Sequence, residues 1–265
     1  MTATSLPPAP RSSASRSQRT EAPWSLLLDS EGRPGAENMA VDLALLAYAV
    51  ATSTATLRLY RFNPPCLSFG RHEPAQRRYD RARIERLGID VVRRPTGGRA
   101  VWHEHEVTYS VTAPLALFGS LRDAYCAIHT RLAQAMGQLG VPAVLAPASR
   151  HTPRPDARGS CFAAAVGGEI VARGRKLIGS AQLEDGTGTA FLQHGSILLD
   201  ITRQDVVDFQ DATSLSGELG RPVGFHEVAE HVIKSWGARL EPIALERPLP
   251  LGTARFQDSS WTWRR

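Results

Sequence analysis

Apolar residues recur along the chain with two different periods, and the switches between them outline the elements. Trp24–Leu28 reads as a first strand. From Gly35 to Leu46, the residues Met39, Asp42, Leu43, Leu46 and Ala47 fall at helical spacing, with Glu37 in the first turn to suit the helix dipole. Thr56–Phe62 alternates as a strand, Leu57 and Leu59 to one side, and Pro64-Pro65 ends it. Cys66–His72 is a short strand closing in a glycine turn. Tyr79–Leu87 is amphipathic, with arginines on its exposed face and Gly88 placed as a C′ cap. Ile89, Val91 and Val92 form a β-prone run. Val107, Tyr109 and Val111 recur at period two, so a second strand follows a turn. The longest helical pattern is Leu121–Leu139, with Tyr125, Ile128, Leu132, Ala135, Met136 and Leu139 in one stripe and Gly140 at its end.

Beyond that helix, residues 146–160 break every pattern and read as a long Pro- and Arg-rich loop. Ile170–Ala172 is a strand, 173–176 a turn, and Leu177–Gln182 the return strand of a hairpin. Gln193–Leu199 is a further strand and Phe225–Trp236 a helix. The pattern predicts an α+β fold, mixed β-sheets flanked by helices, in one domain over 23–265. Residues 1–22, rich in Ser, Thr, Pro and Ala and without an acid before Glu21, read as a disordered tail. They lack an apolar core for a secretory signal, although their composition overlaps with that of organellar transit peptides.

Composition narrows the classes. A formal charge of +5 favours an acidic partner. The arginines are spread out and not interleaved with aromatics, which argues against nucleic acid. No apolar run approaches the ~18 residues of a membrane span. Three cysteines, Cys66, Cys126 and Cys161, are too few for a disulfide framework, so a reducing, cytoplasmic location is expected. Cys66 reads as a small core or edge residue, Cys126 as structural beside the helical stripe, and His129 as a satisfied helix histidine. His103 and His105 are two apart in a His-Glu-His-Glu run and would face opposite sides of a strand, so no metal site is expected.

The chemistry gathers at residues 93–103. Arg93 and Arg94 precede Thr96, Gly97 and Gly98; Arg99 follows, and His103 closes the stretch. Adjacent glycines let a backbone approach a ligand, exposed N–H groups hold an oxyanion, and arginines add forked donors. The bland alternative is a hairpin with a solvated basic tip. Arg-Arg-x-Thr-Gly-Gly-Arg-Ala-Val-x-His resembles the signature loop of the biotin/lipoate protein ligase superfamily. Thr96 and Arg99 resemble its cysteine-type octanoyltransferases more than the lipoate ligases, which usually carry a third glycine at the position of Arg99. Asn-Met-Ala-Val-Asp-x-Ala-Leu-Leu (38–46) and Pro-Pro-x-Leu-Ser-x-Gly (64–70) are similar to further family patterns.

Cys161 stands at the end of the basic loop, where nearby cations would lower a thiol pKa; a buried small hydrophobe is the alternative. Cys161-Phe162 lies fifteen residues before Lys176, similar to the Cys-Phe…Gly-Arg-Lys spacing of the octanoyltransferases. Ala163–Gly168 departs from the polar residues the family usually has there. Gly-Arg-Lys-x-x-Gly-Ser-Ala-Gln resembles the family's lysine motif and brings in Gly179, Ser180 and Ala181. Gln-His-Gly-Ser-Ile brings in His194 and Gly195; His194 could orient a ligand or close a strand-end hydrogen bond. The resemblance runs from about Trp24 to about Leu240, without room for the extra C-terminal domain of many single-chain lipoate ligases.

The resemblance implies a biotin/lipoate protein ligase catalytic-domain-like fold and an acyltransferase. It would move an octanoyl group from octanoyl-acyl carrier protein to a lysine of a lipoyl domain (H protein or E2) through a Cys161 thioester. Lowering a thiol pKa from ~8.5 to ~6.5 raises the thiolate fraction from roughly 3% to about 75% at pH 7, but lower nucleophilicity leaves a net gain of only ~2–3-fold. Losing an oxyanion donor costs about 10²–10³-fold. Lys176 is therefore expected to act chiefly on the carbonyl. The loop residues and His103 would shape the acyl entrance. No cofactor is expected, and the protein is expected to be a monomer. Two alternatives are an ATP-dependent lipoate ligase, or its catalytic half, and a non-catalytic carrier-domain binder.

Overall fold

The central strands alternate apolar and polar residues yet are almost entirely buried. In the computed structural model, which describes residues 24–147, 168–201, 212–244 and 252–264, Glu106–Pro114 (β6) is buried along its whole length. It pairs antiparallel with Thr56–Phe62 (β2) on one side and Ala190–Leu198 (β10) on the other. Outward from β2 lie Trp24–Arg33 (β1) and, parallel to it, Leu240–Ile243 (β11). Outward from β10 lie Arg175–Glu184 (β9), Ile170–Ala172 (β8) and Ala143–Leu145 (β7). The described residues thus form one mixed sheet in the order β11-β1-β2-β6-β10-β9-β8-β7.

Helices cover both faces. Gly35–Thr52 (α1) packs Met39, Leu46 and Ala49 toward β2, β6 and β10. It runs six residues past the predicted end, to an αL cap at Ser53, and Ala47 is exposed rather than part of the stripe. On the other face Leu121–Leu139 (α4) matches its predicted bounds. Ser120 caps its N-terminus by accepting from the Asp123 amide, and Gly140 ends it at φ +100°, a conformation that suits glycine. Ile128, Leu132 and Met136 are fully buried with Leu57, Tyr109, Val111 and the helix Phe225–Lys234 (α6). Each such side chain is worth about 1.5–3 kcal/mol of burial. Cys126 falls off this stripe and is solvent-exposed, a correction to its structural reading. None of the helices among the described residues is long and apolar enough to cross a membrane.

A second, three-stranded sheet carries the signature loop. Cys66–Phe69 (β3) is its centre, parallel to Asp90–Arg93 (β4) and antiparallel to Val101–His103 (β5). The stretch 93–111 is therefore not a simple strand–turn–strand: β5 returns to β3 before the chain enters β6 in the large sheet. Gly70 makes this fold-back possible, because a Cβ there would stand 1.8 Å from the Gly98 carbonyl oxygen. The expected helix Tyr79–Leu87 is confined to Arg81–Arg86 (α3), because Asp80 caps its start by accepting from the Arg83 amide, and a separate short helix, Ala75–Arg78 (α2), precedes it. Cys66 is buried in β3, and burial together with the charge of Asp90 pushes its thiol well above the usual range. The short helices Ala254–Gln257 (α7) and Ser259–Thr262 (α8) lie against β4 and α1. Leu215–Leu219 (α5) follows Ala212, which bridges Lys176.

Candidate functional site

A pocket opens where α1, the signature loop and β9–β10 meet, lined among others by Tyr60, Ser68, Arg94, His103, Ser180 and His194. Met39, Phe62 and Val101 supply apolar wall; Gly179, Ala181, Gly195 and Ser196 supply a stretch of sheet with small side chains. At Gly195 a Cβ would meet the Gly179 carbonyl oxygen at 2.4 Å and Ser180 Oγ at 2.6 Å, so only glycine lets β9 and β10 close here.

Two histidines face this pocket, each held at both nitrogens. His194 Nδ1 lies 2.9 Å from Asp42 Oδ2 and its Nε2 lies 2.6 Å from Thr96 Oγ1. An ionised carboxylate only accepts, so Nδ1 carries the proton and the ring is left to accept from Thr96. Burial lowers the His194 pKa, which keeps the ring neutral. Burial opposes ionisation of Asp42, but hydrogen bonds from His194 and Ser110 and the charge of Arg58 hold its carboxyl below the usual range. His103 is built alike: Nδ1 is 2.6 Å from Glu106 Oε1, and Nε2 is 2.7 Å from Ser68 Oγ. Ser68 also accepts from Arg94 Nη1 at 3.1 Å, and Phe62 stacks on the His103 ring at 4.0 Å. From the middle of β10, His194 lines the pocket and joins a buried hydrogen-bond array.

Arg94 reaches the pocket while holding its loop in shape, donating to the carbonyls of Ser68, Gly97 and Arg99. Arg93 turns elsewhere. Its guanidinium is wholly buried and donates to the carbonyls of Gly70, Glu73, Trp261, Thr262 and Arg264, so it fastens α8 to the loop. That burial lowers its pKa to about 10. Gly97, Gly98 and Arg99 are at least partly exposed and are not pocket lining. Thr96 is buried and touches the pocket through His194.

Lys176 lies on β9 just after a two-residue turn, Arg173-Gly174, with both residues at positive φ (+49° and +79°). This turn type matches the twist of a hairpin and starts β9 two residues earlier than the pattern predicts. A register shift between Ile170 and Val171 puts an extra residue in β9 beside Lys176; such a bulge re-aims a flanking side chain. Lys176 is buried, and its Nζ donates to Glu169 Oε1 at 2.7 Å. Next to Glu169, the Gly168 carbonyl accepts from His129 Nδ1 at 2.6 Å. His129 Nε2 lies 2.8 Å from Ser180 Oγ, and Tyr109 and Gln193 continue the array. Burial brings the His129 pKa down to about 4. His129 is thus a satisfied helix histidine, and its partner Ser180 lines the pocket. Cys161 lies outside the described residues.

The side chains that the motif reading passed over are Met39, Tyr60, Phe62, Ser68, Val101, Thr108 and Ser196 on the wall, and Asp42, Glu106 and Glu169 behind it. Met39, Asp42, Ser68, Val101 and Ser196 lie inside the family-like patterns, which was the available signal.

This mixed sheet, with a Gly-Gly loop folded over a pocket at its centre, is the architecture of lipoate-protein-ligase catalytic domains. Lipoate-protein ligase A bound with ATP superposes with TM-score 0.70 at 19% identity, over 84% of this chain and 90% of its own. A chain from the structural analysis of a bipartite lipoate protein ligase and its E2 lipoyl domain from Thermoplasma acidophilum superposes with TM-score 0.65 at 17% identity, over 91% of this chain and 96% of its own. The chain belongs to the lipoyl protein ligase A/B catalytic domain family, whose model matches residues 34–237. Among its relatives, octanoyltransferase LipM of Symbiobacterium thermophilum is 38% identical over 90% of this chain and 98% of that protein.

Proposed function

We propose that this protein is an octanoyltransferase that moves an octanoyl group from octanoyl-acyl carrier protein to a lysine of a lipoyl domain, in lipoate biosynthesis. The observation that carries the reading is the similarity to octanoyltransferase LipM along nearly the full length of both chains. The pocket agrees with it: part of its wall is apolar, and its two histidines are hydrogen-bonded at both nitrogens. An acyl chain needs apolar wall, and the guanidinium of Arg94 in the lining is taken up by the carbonyls of Ser68, Gly97 and Arg99.

The reaction runs in two exchanges. The Cys161 thiolate attacks the thioester carbonyl of the donor; the carbon–sulfur bond to the carrier breaks, and the carrier leaves as its thiolate. The uncharged lysine amine of the lipoyl domain then attacks the Cys161 thioester, losing a proton as the amide forms, and the Cys161 thiolate is released. Each step passes through a tetrahedral oxyanion, which a positioned cation stabilises. Lys176 supplies that cation. Glu169 Oε1, 2.7 Å from Nζ, orients the ammonium. Ser180, on the same strand and joined to His129 and Tyr109, orients the carbonyl end of the acyl group. Gly97, Gly98 and Arg99 meet the incoming partner at the loop surface. The protein acts as a monomer.

The test is a transfer assay on a purified lipoyl domain with two donor systems. Octanoyl-acyl carrier protein alone should label the lipoyl domain, whereas octanoate with ATP should not. Labelling that depends on ATP would instead make the protein a ligase.

A further inference from the structure

Two arginines stack on one tryptophan of the C-terminal cap, and a third, Arg71, adjoins one of them. The guanidinium carbons of Arg255 and Arg264 lie 4.0 and 4.1 Å from the ring centroid of Trp261. Arg264 also donates to the backbone carbonyl of Arg71. Arg255 and Arg71 are exposed, and Arg264 and Trp261 are half-buried. None of the three arginines has a carboxylate partner among the described residues. Partial burial, with the neighbouring charges of Arg71 and Arg255, lowers the pKa of Arg264. The cluster therefore holds like charges together at a cost, which an anion would relieve. Stacking on an indole also keeps two guanidinium forks in place, so little side-chain entropy remains to be lost when they bind.

The cluster is mounted on the active-site loop. Trp261 Nε1 donates to the Arg93 carbonyl at 3.0 Å, and the buried Arg93 guanidinium grips the carbonyls of Trp261, Thr262 and Arg264. The Arg71 amide donates to the Thr96 carbonyl at 2.7 Å, and Thr96 in turn meets His194 in the pocket wall. Arg71 is three residues beyond Ser68, which lines the pocket; three residues span at most about 11 Å. Cationic forks thus stand close to the pocket on one rigid support.

We propose that Arg71, Arg255 and Arg264 around Trp261 form the docking surface for the acyl donor, receiving the acidic face and phosphodiester of the acyl carrier protein. This deepens the octanoyltransferase reading and rests on it. The donor fits this chemistry because its acyl chain is presented on a phosphodiester-linked arm rising from an acidic helical surface. Arginine pairs bidentately with phosphate and carboxylate oxygens. Such a surface acts on encounter and on KM more than on the chemical step.

The test compares wild type with Arg71→Gln/Arg255→Gln and with Arg255→Glu, all side chains outside the pocket. Binding of fluorescently labelled octanoyl-acyl carrier protein is read by anisotropy. Transfer is read with that donor and with the small uncharged donor octanoyl-N-acetylcysteamine. The variants should weaken carrier binding and raise its KM by about tenfold, with kcat held and the salt dependence reduced. The kinetics with octanoyl-N-acetylcysteamine should not change, which also shows that the variants are folded. Unchanged carrier affinity, or a KM increase confined to the lipoyl domain, would overturn the assignment. Wild type that binds the carrier through these arginines but transfers from neither donor would keep the surface and refute the transferase reading.

Discussion

Lys176 donates to Glu169 across 2.7 Å, and both side chains are shielded from water. Removing one member of such a buried pair leaves an uncompensated charge and costs about 3–5 kcal/mol, whereas replacing both by apolar groups is often close to neutral. Lys176→Met and Glu169→Gln should each lower unfolding free energy by that amount in urea titrations. Lys176→Met/Glu169→Leu should recover most of the stability and none of the octanoyl transfer. Transfer by the double variant near the wild-type rate would remove Lys176 from the chemistry.

A charge-preserving change probes the same residue differently. If Lys176 acts by placement on the carbonyl and not by ionising a thiol, Lys176→Arg should lose most activity, and raising the pH to about 9, near an ordinary thiol pKa, should not restore it. Near-full rescue at high pH would assign Lys176 to thiolate formation instead.

The two glycine sites of the loop make opposite demands. A Cβ at Gly70 would overlap the Gly98 carbonyl oxygen at 1.8 Å, while a Cβ at Gly97 meets nothing within 4 Å. Gly70→Ala should therefore depress the melting temperature and the activity together. Gly97→Ala should leave stability within about 0.5 kcal/mol of wild type, so any loss of transfer would report a substrate contact. A destabilised Gly97→Ala would contradict the open geometry at that position.

These contrasts show what the chain disclosed before folding. The strands at 56–62 and 170–172 and the helix at 121–139 follow from apolar period, and the family motifs pointed to the pocket. The first strand runs past Leu28 to Arg33 because its second half is polar: Asp29 and Arg33 are buried as an ion pair with Arg58, which hydropathy counts as surface. The loop at 93–103 read as a hairpin tip because local period does not report that β5 folds back on β3. Arg93 looked like a ligand donor, since sequence cannot distinguish a guanidinium that binds substrate from one that binds backbone carbonyls 168 residues away. The partners of His103 and His194 were within quoted motifs or close by, but pairing across strands is a tertiary fact.

Acid sensitivity follows from His129. Its pKa falls from 6.5 to about 4 on burial, so between these values the unfolded chain binds a proton that the folded chain excludes. Stability is then full above about pH 6.5 and declines as pH falls toward 4, by up to about 1.4 kcal/mol per unit from this residue. His194, also lowered by burial, acts in the same direction. Urea midpoints measured from pH 7 to pH 4.5 should fall, and less so for His129→Gln. An equal fall in that variant would exclude His129 as the source.

The most direct test of the account is intact-protein mass spectrometry of the enzyme mixed with octanoyl-acyl carrier protein, without ATP and without a lipoyl domain. The account predicts one octanoyl adduct on the wild-type chain and none on Cys161→Ala. An adduct that persists in Cys161→Ala, or no adduct on wild type under conditions that support transfer, would contradict the Cys161 thioester.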